Sequence, residues 1–433
     1  MAQNARVGSL GAPNVHNKNL IDDLSDVLYF PTEVTAHADY VQGVAGNYVF
    51  VSKSFADLFS AGFLFGKSSY LTSETPFSTD IGIIYSNAVA GGILNAGFTQ
   101  PNNPSNAGHL LLGIKPSSAI GIGLDVYREA LNSSGNNTDK TVPNVTSAMD
   151  MNSKYGAMGF NGGMSLNLGL IEAKAFTGIA MLGLDKEVIN TSDVTGTNVT
   201  TKRSLKSSGG YYIPLSVKAG LKAGSHKLTG GIDFSTCNYQ FEAAYADGAN
   251  PIQTIKSNKT SIMNIGLGAG DEIEFFNNTK FYISLAGERD AKTSTPETVD
   301  DANPEVTTST IRLPKFSMGF EYVIKNPWKL DAIALRTGGN KSVIWTSVSS
   351  EGGSSSSENS SEPTISAFNW TTGLAVSKGN FDLSMVIGPA EWNGLYIIGG
   401  PGSGPSGAII TFTYKFGGSL SGSSNAGSPA VSP

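Results

Sequence analysis

The sequence has little of three things: cysteine, charge and long apolar runs. Cys237 is the only cysteine among 433 residues, which excludes an intramolecular disulfide framework. Charged residues make up 15% of the chain, against about 25% in ordinary globular proteins, and the net charge of -6 argues against nucleic acid as a partner. The longest apolar run, at 88–94, falls far short of the ~18 residues that a membrane-spanning helix needs.

What the chain does have is a two-residue alternation of apolar and polar side chains. In ITFTYKF (410–416), apolar residues occupy every second position, and threonine or lysine lies between them. The same alternation recurs at 170–182, 211–221 and 313–322. A period of two indicates a β-strand with one apolar and one polar face, and we predict about fourteen to sixteen such strands.

The connections between these strands alternate between short and long. Short turns are predicted at 167–169, 222–225, 277–278, 325–327 and 377–380. Long polar loops are predicted at 129–152, 185–207, 243–257, 290–307, 349–363 and 391–405. Outer-membrane barrels gather short turns at one rim and long loops at the other. The sequence therefore predicts an all-β fold, a closed antiparallel transmembrane β-barrel over 47–416. A soluble β-sandwich is the alternative.

In such a barrel the apolar set of side chains faces lipid and the polar set faces the lumen. The predicted lumen-lining charges are Lys115, Glu172, Lys174, Lys218, Asp233, Lys315, Glu321 and Lys415. Aromatic residues near strand ends predict interfacial girdles: Tyr155, Tyr211, Tyr239, Phe276, Phe281, Trp328, Trp370 and Phe381.

Residues 1–46 lack the strand pattern and predict a plug for the lumen. Their opening, MAQNARVGSL, has no apolar signal core, so we interpret the sequence as a mature chain with a methionine in front. A helix is predicted from an N-cap at Asn19 to a stop at Pro31. Its apolar residues are predicted to pack against the inner wall and to line a solute pocket: Leu20, Leu24, Leu28 and Phe30.

The stretch NARVGSLGAPNVHNKNLIDDLSDVLYFPTEV (4–34) resembles the N-terminal signature of FadL-like and PorV-like outer-membrane proteins. The matching positions are Ala5, Arg6, Gly8, Gly11, Asp22, Asp23, Tyr29 and Pro31. Phe30 stands where this family usually has asparagine. The resemblance implies a monomeric barrel of roughly fourteen strands with an N-terminal hatch. It also implies passage of hydrophobic compounds, which the best-known members carry.

The terminal strand resembles the signal by which such barrels are recognised for outer-membrane assembly, an alternating strand ending in an aromatic, here Phe416. In the family that aromatic usually ends the chain, whereas here residues 417–433 follow. Their glycine, serine and proline content predicts a disordered tail.

No motif predicts an enzyme, a cofactor or a structural metal site. The four histidines, His16, His37, His109 and His226, have neither the helical spacing nor the cysteine partners of a zinc site. The acidic stretch 297–305 is interpreted as a solvated loop, with a divalent-cation site as the alternative.

We predict an outer-membrane channel of a Gram-negative bacterium for passive uptake of hydrophobic or amphipathic small molecules. Two alternatives stay open: a general diffusion porin, and a scaffold that binds a protein through its long loops or its tail. The expected partners are the lipid bilayer, the assembly machinery, through the strand ending at Phe416, and a small hydrophobic solute that the sequence does not identify.

Overall fold

A computed structural model describes most of the chain. The described residues are 6, 9–10, 14–15, 18–21, 23, 26–27, 29–45, 48–55, 58–66, 77–94, 98, 106–142, 145–194, 197–247, 250–387 and 409–416. The predicted tail at 417–433 and the predicted loop at 391–405 lie outside them.

Nineteen strand segments form one closed ring, and two of its strands are interrupted, one into two segments and one into three, which leaves sixteen strands. They are β1 (Tyr40–Val44), β2 (Tyr48–Phe55), β3 (Phe59–Gly66), β4 (Ala107–Ile114), β5 (Ile120–Val142), β6 (Val145–Asn167), β7 (Ile171–Val194), β8 (Thr197–Ala223), β9 (His226–Asp247), β10 (Asn250–Lys256 and Lys259–Phe275), β11 (Thr279–Thr295), β12 (Glu305–Lys325), β13 (Ala332–Glu351), β14 (Ser356–Ser360, Thr364–Ile365 and Asn369–Lys378), β15 (Phe381–Ile387) and β16 (Ile409–Lys415).

The ring closes where β16 pairs antiparallel with β1, from Thr411 opposite Val44 to Lys415 opposite Tyr40. This closure confirms the predicted barrel, with the strand number at the upper end of the expected range, and excludes the sandwich. The boundary predicted after residue 46 is wrong, because the first barrel strand already begins at Tyr40.

The five predicted short turns all lie at one rim, which we call the short-turn rim. Each of them follows an even-numbered strand, and neighbouring strands are antiparallel throughout the ring. Strands of even number therefore all end at the same side of the barrel, and the prediction is confirmed. We call the opposite side the long-loop rim.

The predicted long loops, by contrast, are largely strands. Strand β5 continues to Val142 and β6 starts at Val145, so most of 129–152 is an extended hairpin. The same holds for 185–207, where β7 ends at Val194 and β8 starts at Thr197. These hairpins escaped prediction because their polar residues do not alternate with apolar ones.

The exterior near the short-turn rim is an apolar band. Strands β6, β7, β9, β10 and β11 all carry large exposed side chains on their outer face there, among them Phe160, Met164, Met181, Ile232, Leu267 and Leu285. Because a closed barrel with an apolar exterior leaves no unpaired strand edge in lipid, the band spans a bilayer. Single-chain barrels with an even number of strands belong to the bacterial outer membrane, which is the predicted location.

Besides the barrel strands, the described residues include two α-helices, a 3-10 turn at Phe276–Asn278 and a short ribbon. Helix α1 is Glu33–Ala36, helix α2 is Phe77–Ala90, and the ribbon pairs Asn14–Val15 with Lys18–Asn19. Neither helix is long and apolar enough to cross a membrane. The predicted start of a helix at Asn19 is wrong, because Asn19 is in the ribbon and α1 begins only after Pro31.

Candidate functional site, a filled barrel lumen

The described residues between Arg6 and Ala36, which we call the plug, pack against the inner wall near the short-turn rim. Leu20 forms a buried contact with Ala286 of β11. Val27 and Val34 join a buried cluster that includes wall residues of β2, β3 and β4. The plug is therefore part of the barrel core.

The plug backbone approaches the wall so closely that only glycine fits at some wall positions. A Cβ atom on Gly123 of β5 would lie 2.4 Å from the carbonyl carbon of Pro31. A Cβ atom on Gly319 of β12 would lie 2.8 Å from the carbonyl oxygen of Leu10. Real Cβ contacts are not this short, so these glycines shape the seat of the plug.

Buried ion pairs add to this fit. The Lys218 Nζ atom of β8 donates to Asp26 Oδ2 at 3.0 Å and to the Ile21 carbonyl at 3.0 Å. The Lys174 Nζ atom of β7 lies 3.6 Å from Asp26 Oδ2 and 2.9 Å from Glu33 Oε1. Asp26, which was predicted to lie on the solvated side of a helix, instead pairs with these wall cations.

The Glu33 carboxylate of the plug has a strongly lowered pKa. Burial alone would raise the pKa of Glu33, but the Lys174 ammonium and the neighbouring His37 ring lower it, and the pKa falls to about 2. Glu33 is therefore ionised in neutral solution and holds α1 to β7 by charge.

A second ionic cluster fixes the start of the plug. The Arg6 guanidinium donates to the Tyr282 hydroxyl at 2.8 Å and lies 3.5 Å from Glu321 Oε2. Glu321 also pairs with Arg336 of β13. Two small cavities beside the plug, one next to Leu20 and one next to Lys174, hold about 10 Å³ each, room for roughly one water molecule.

The other predicted lumen residues have different partners. Glu172 pairs with Lys227 at 3.1 Å, and Lys315 pairs with Glu288 at 2.7 Å. Asp233 is buried on the inward face of β9. The remaining two do not join the plug contacts: Lys415 lies over the Tyr40 ring, and Lys115 is exposed between β4 and β5.

The predicted solute-pocket residues fall into two groups. Leu20 and Phe30 are buried, and Phe30 stacks edge-on against Phe176 of β7 at 5.5 Å between ring centroids. Leu24 and Leu28 lie outside the described residues. The two described residues therefore pack the plug into the wall.

Towards the long-loop rim the interior becomes apolar, which the sequence pattern did not predict. Fourteen wall residues belong to one buried cluster, which we call the apolar cluster. They are Tyr127, Tyr155, Ala157, Ala180, Leu182, Leu184, Val188, Leu205, Tyr212, Cys237, Tyr239, Phe241, Ala243 and Ile262. The predicted girdle positions of Tyr155 and Tyr239 are therefore wrong, since both rings point inward and are buried.

Strand β9 shows how the two halves differ. Its inward face begins with Thr229, Asp233 and Ser235 and continues with Cys237, Tyr239, Phe241 and Ala243. Its outward face changes in the opposite sense, from Leu228 and Ile232 to Asn238, Gln240 and Glu242. Near Thr236 the strand thus leaves the apolar band and adopts the polar-out, apolar-in pattern of a water-soluble sheet.

Strand length agrees with this division. Strand β7 has 24 residues. At about 3.3 Å per residue and a tilt of about 45°, it is roughly 55 Å tall, about twice the ~25 Å apolar band of an outer-membrane barrel. The apolar cluster therefore lies inside a wall that extends beyond the lipid.

Helix α2 fills part of this extension. Ile81, Ile84 and Ala88 are buried in the same hydrophobic cluster, and α2 packs against β9. The Asp80 carboxylate accepts hydrogen bonds from Tyr239 at 3.0 Å and Thr260 at 3.1 Å, and Lys292 Nζ donates to it at 2.7 Å. All three donors are wall residues, so α2 lies within the barrel.

No group of three His, Cys, Asp or Glu side chains that could hold a metal ion occurs in the described part of the chain. In the acidic stretch 297–305, Asp301 accepts hydrogen bonds from the backbone amides of Ser354 and Ser355. It thereby joins the β11–β12 loop to the β13–β14 loop.

The closed sixteen-stranded ring with an apolar exterior and a filled lumen defines an outer-membrane β-barrel protein. No family model matches the chain, and no curated protein matches it either. The comparison with solved structures finds other barrels. The CymD monoaromatic hydrocarbon channel is 8% identical over 95% of this chain and 97% of CymD, with a TM-score of 0.36.

The siderophore receptor PiuA from Acinetobacter baumannii is 9% identical over 87% of this chain and 81% of its own, with a TM-score of 0.32. The translocator domain of the autotransporter NalP from Neisseria meningitidis is 8% identical over 87% of each chain, with a TM-score of 0.26. Identities and scores this low do not assign an activity to the protein.

Proposed function

We propose that the protein is a channel for passive uptake of hydrophobic or amphipathic small molecules. The observation that carries the proposal is the apolar cluster, a wall of tyrosine, phenylalanine and leucine inside the part of the barrel that faces external water. Apolar surfaces that enclose a space are typical of small-molecule sites. A poorly water-soluble solute would gain about 25 cal/mol for each Å² of apolar surface that it buries there.

The plug supports selective rather than open passage. Its ion pairs and close backbone contacts fill the lumen near the short-turn rim, where a general diffusion porin needs a water-filled channel. The resemblance of residues 4–34 to FadL-like proteins agrees with a hatch of this kind. Leu20 and Phe30 are buried against the wall and would touch the solute only after the plug has shifted. Contact of Leu24 and Leu28 with the solute stays a prediction from the sequence.

The test is binding of a neutral fluorescent naphthylamine dye to the detergent-solubilised protein. Phe241→Ser removes an apolar ring from the inner face of β9, and Gln240→Ser changes its outward neighbour. Losing a buried aromatic contact of about 1.5–3 kcal/mol should weaken dye binding roughly tenfold or more for Phe241→Ser, while the control binds like the wild type. A wild-type protein that binds no dye yet conducts ions steadily would identify a porin instead.

A further inference from the structure

We propose that helix α2 is an internal gate, held closed over the apolar cluster by the Asp80 carboxylate. This inference rests on the proposed passage of a solute through the lumen, and it assigns a role to a segment that the plug does not include.

The first step is the position of α2. Its 14 residues make a rod about 21 Å long and about 10 Å wide with side chains. Its buried face touches the cluster that contains Tyr212, Cys237 and Phe241. A solute that is to contact these residues must displace the helix or share the space with it.

Helix α2 is packed against the wall on one side only. The helix buries Ile81, Ile84 and Ala88, whereas Ile83 on the other side is 55% exposed. The buried residues that follow it, Ile93, Leu94 and Phe98, lie in the same cluster and form the fixed end from which the helix would move. An element with few apolar contacts opens at lower free energy than the wall around it. Asp80 supplies the polar attachment, because it engages donors from three neighbouring strands, β9, β10 and β11.

The third step is the contrast with the plug. The side chains of Asp26 and Lys218 are 0% and 6% exposed, so bulk solvent has little access to that pair. The side chains of Asp80 and Lys292 are 10% and 34% exposed. As the partners of Asp80 separate, water can take their place, so this contact can break at a lower free-energy cost than the Asp26–Lys218 pair.

The chain contains its own reporter for the gate. Cys237 is the only cysteine, is buried beneath α2, and lies two residues from Tyr239 on the same face of β9. Opening of α2 would expose its thiol to the external side whether or not the plug moves.

The experiment measures alkylation of Cys237 by a water-soluble maleimide in the full-length protein. Asp80→Asn and Lys292→Met should label at least tenfold faster than the wild type, and the exchanged pair Asp80→Lys with Lys292→Asp should label close to the wild-type rate. Ser86→Ala, on the exposed face of α2, is the matched control and should leave the rate unchanged.

Variants are compared only if their electrophoretic mobility in SDS gels changes on heating, as it does for a folded barrel. If Asp80→Asn does not assemble, Thr260→Val removes one neutral donor and should give an intermediate rate. Labelling of Asp80→Asn (or of its Thr260→Val substitute) at the wild-type rate would overturn the gate, as would equal acceleration by Ser86→Ala. Dye binding is recorded in parallel, so that faster labelling without any dye binding retains the gate and rejects the uptake function.

Discussion

The two halves of the lumen are closed by different chemistry. Near the short-turn rim, a charged wall holds the plug through buried ion pairs such as Asp26 with Lys218. Towards the long-loop rim, an apolar wall holds α2 through hydrophobic contacts and one carboxylate, Asp80. In the plug half the exterior is apolar and the interior is charged. In the α2 half the exterior is polar and the interior is apolar.

The difference has a simple physical origin. Where the outer face meets lipid, the apolar side chains of a strand point outward and its polar side chains point into the lumen. Where the outer face meets water, the same strand can point its apolar side chains inward, as soluble sheets do. The site for a hydrophobic solute is therefore expected in the half beyond the lipid.

The strongest disruption of the plug half should come from Lys218→Met. It removes one of two cations from the buried Asp26 carboxylate, and breaking a buried ion pair typically costs about 3–5 kcal/mol. We expect faster tryptic cleavage of the plug, measured on the native protein. The control is Lys202→Met, which breaks a half-exposed pair with Glu187 and should cost less than about 1 kcal/mol. Equal cleavage rates for the two variants would contradict a plug held by charge.

Gly123→Val should displace the plug by contact rather than by charge. The new side chain would overlap Pro31, and overpacking of this kind costs about 1–3 kcal/mol. Gly162→Val on the neighbouring strand meets nothing within 4 Å and serves as the control. We expect a rise in single-channel conductance in planar bilayers for Gly123→Val alone. A closed trace for both variants would show that this contact does not seat the plug.

Acid should loosen the plug half. The pKa of Glu33 is lowered from 4.5 to about 2, so its stabilising effect is complete above pH 4.5 and is lost as the pH falls towards 2. Cleavage of the plug by pepsin, measured at each pH and normalised to an unfolded substrate, should increase over that interval. Glu33→Gln should start from a looser plug and lose this pH dependence; an unchanged profile would assign the effect to other groups.

The smallest effect is expected outside both halves, at Asp301. Asp301→Asn weakens the hydrogen bonds to Ser354 and Ser355, which lie in exposed loops. Hydrogen exchange of the two serine amides should rise several-fold, while plug cleavage and Cys237 labelling stay at wild-type values. A change in either of those two rates would mean that the loops are coupled to the lumen.

The barrel was predictable because its exterior obeys one rule. Ile410, Phe412 and Tyr414 have the period of a strand wherever lipid covers the outer face, and the short turns mark one rim. The hairpins beyond the lipid were not predictable in this way, because water on the outside removes the need for apolar residues there. Tyr239 was misplaced for the same reason, although its polar neighbours Asn238 and Gln240 were a usable signal for an outward polar face.

The plug was predictable as a segment but not in its conformation. The spacing of Leu20, Leu24 and Leu28 indicated a helix, yet Lys174 and Lys218 lie far from the plug in sequence and determine where Asp26 and Glu33 bind. A single sequence without contacts cannot reveal such pairs. Helix α2 was not predicted, because residues 47–416 were assigned to the barrel as a whole.

The ring is not equally strong around its circumference. Strand β16 meets β1 through five residue pairs, whereas β7 and β8 are joined along most of their length. Strands β1 and β2 share only four pairs, but they are neighbours in the chain, so the β16–β1 seam is the short one without a local connection. We expect the pairing of β16 with β1 to form last when the barrel assembles and to separate first under mechanical load. A barrel pulled from its membrane should therefore open as a sheet hinged opposite the seam, with the chain's first and last strands as its two free edges.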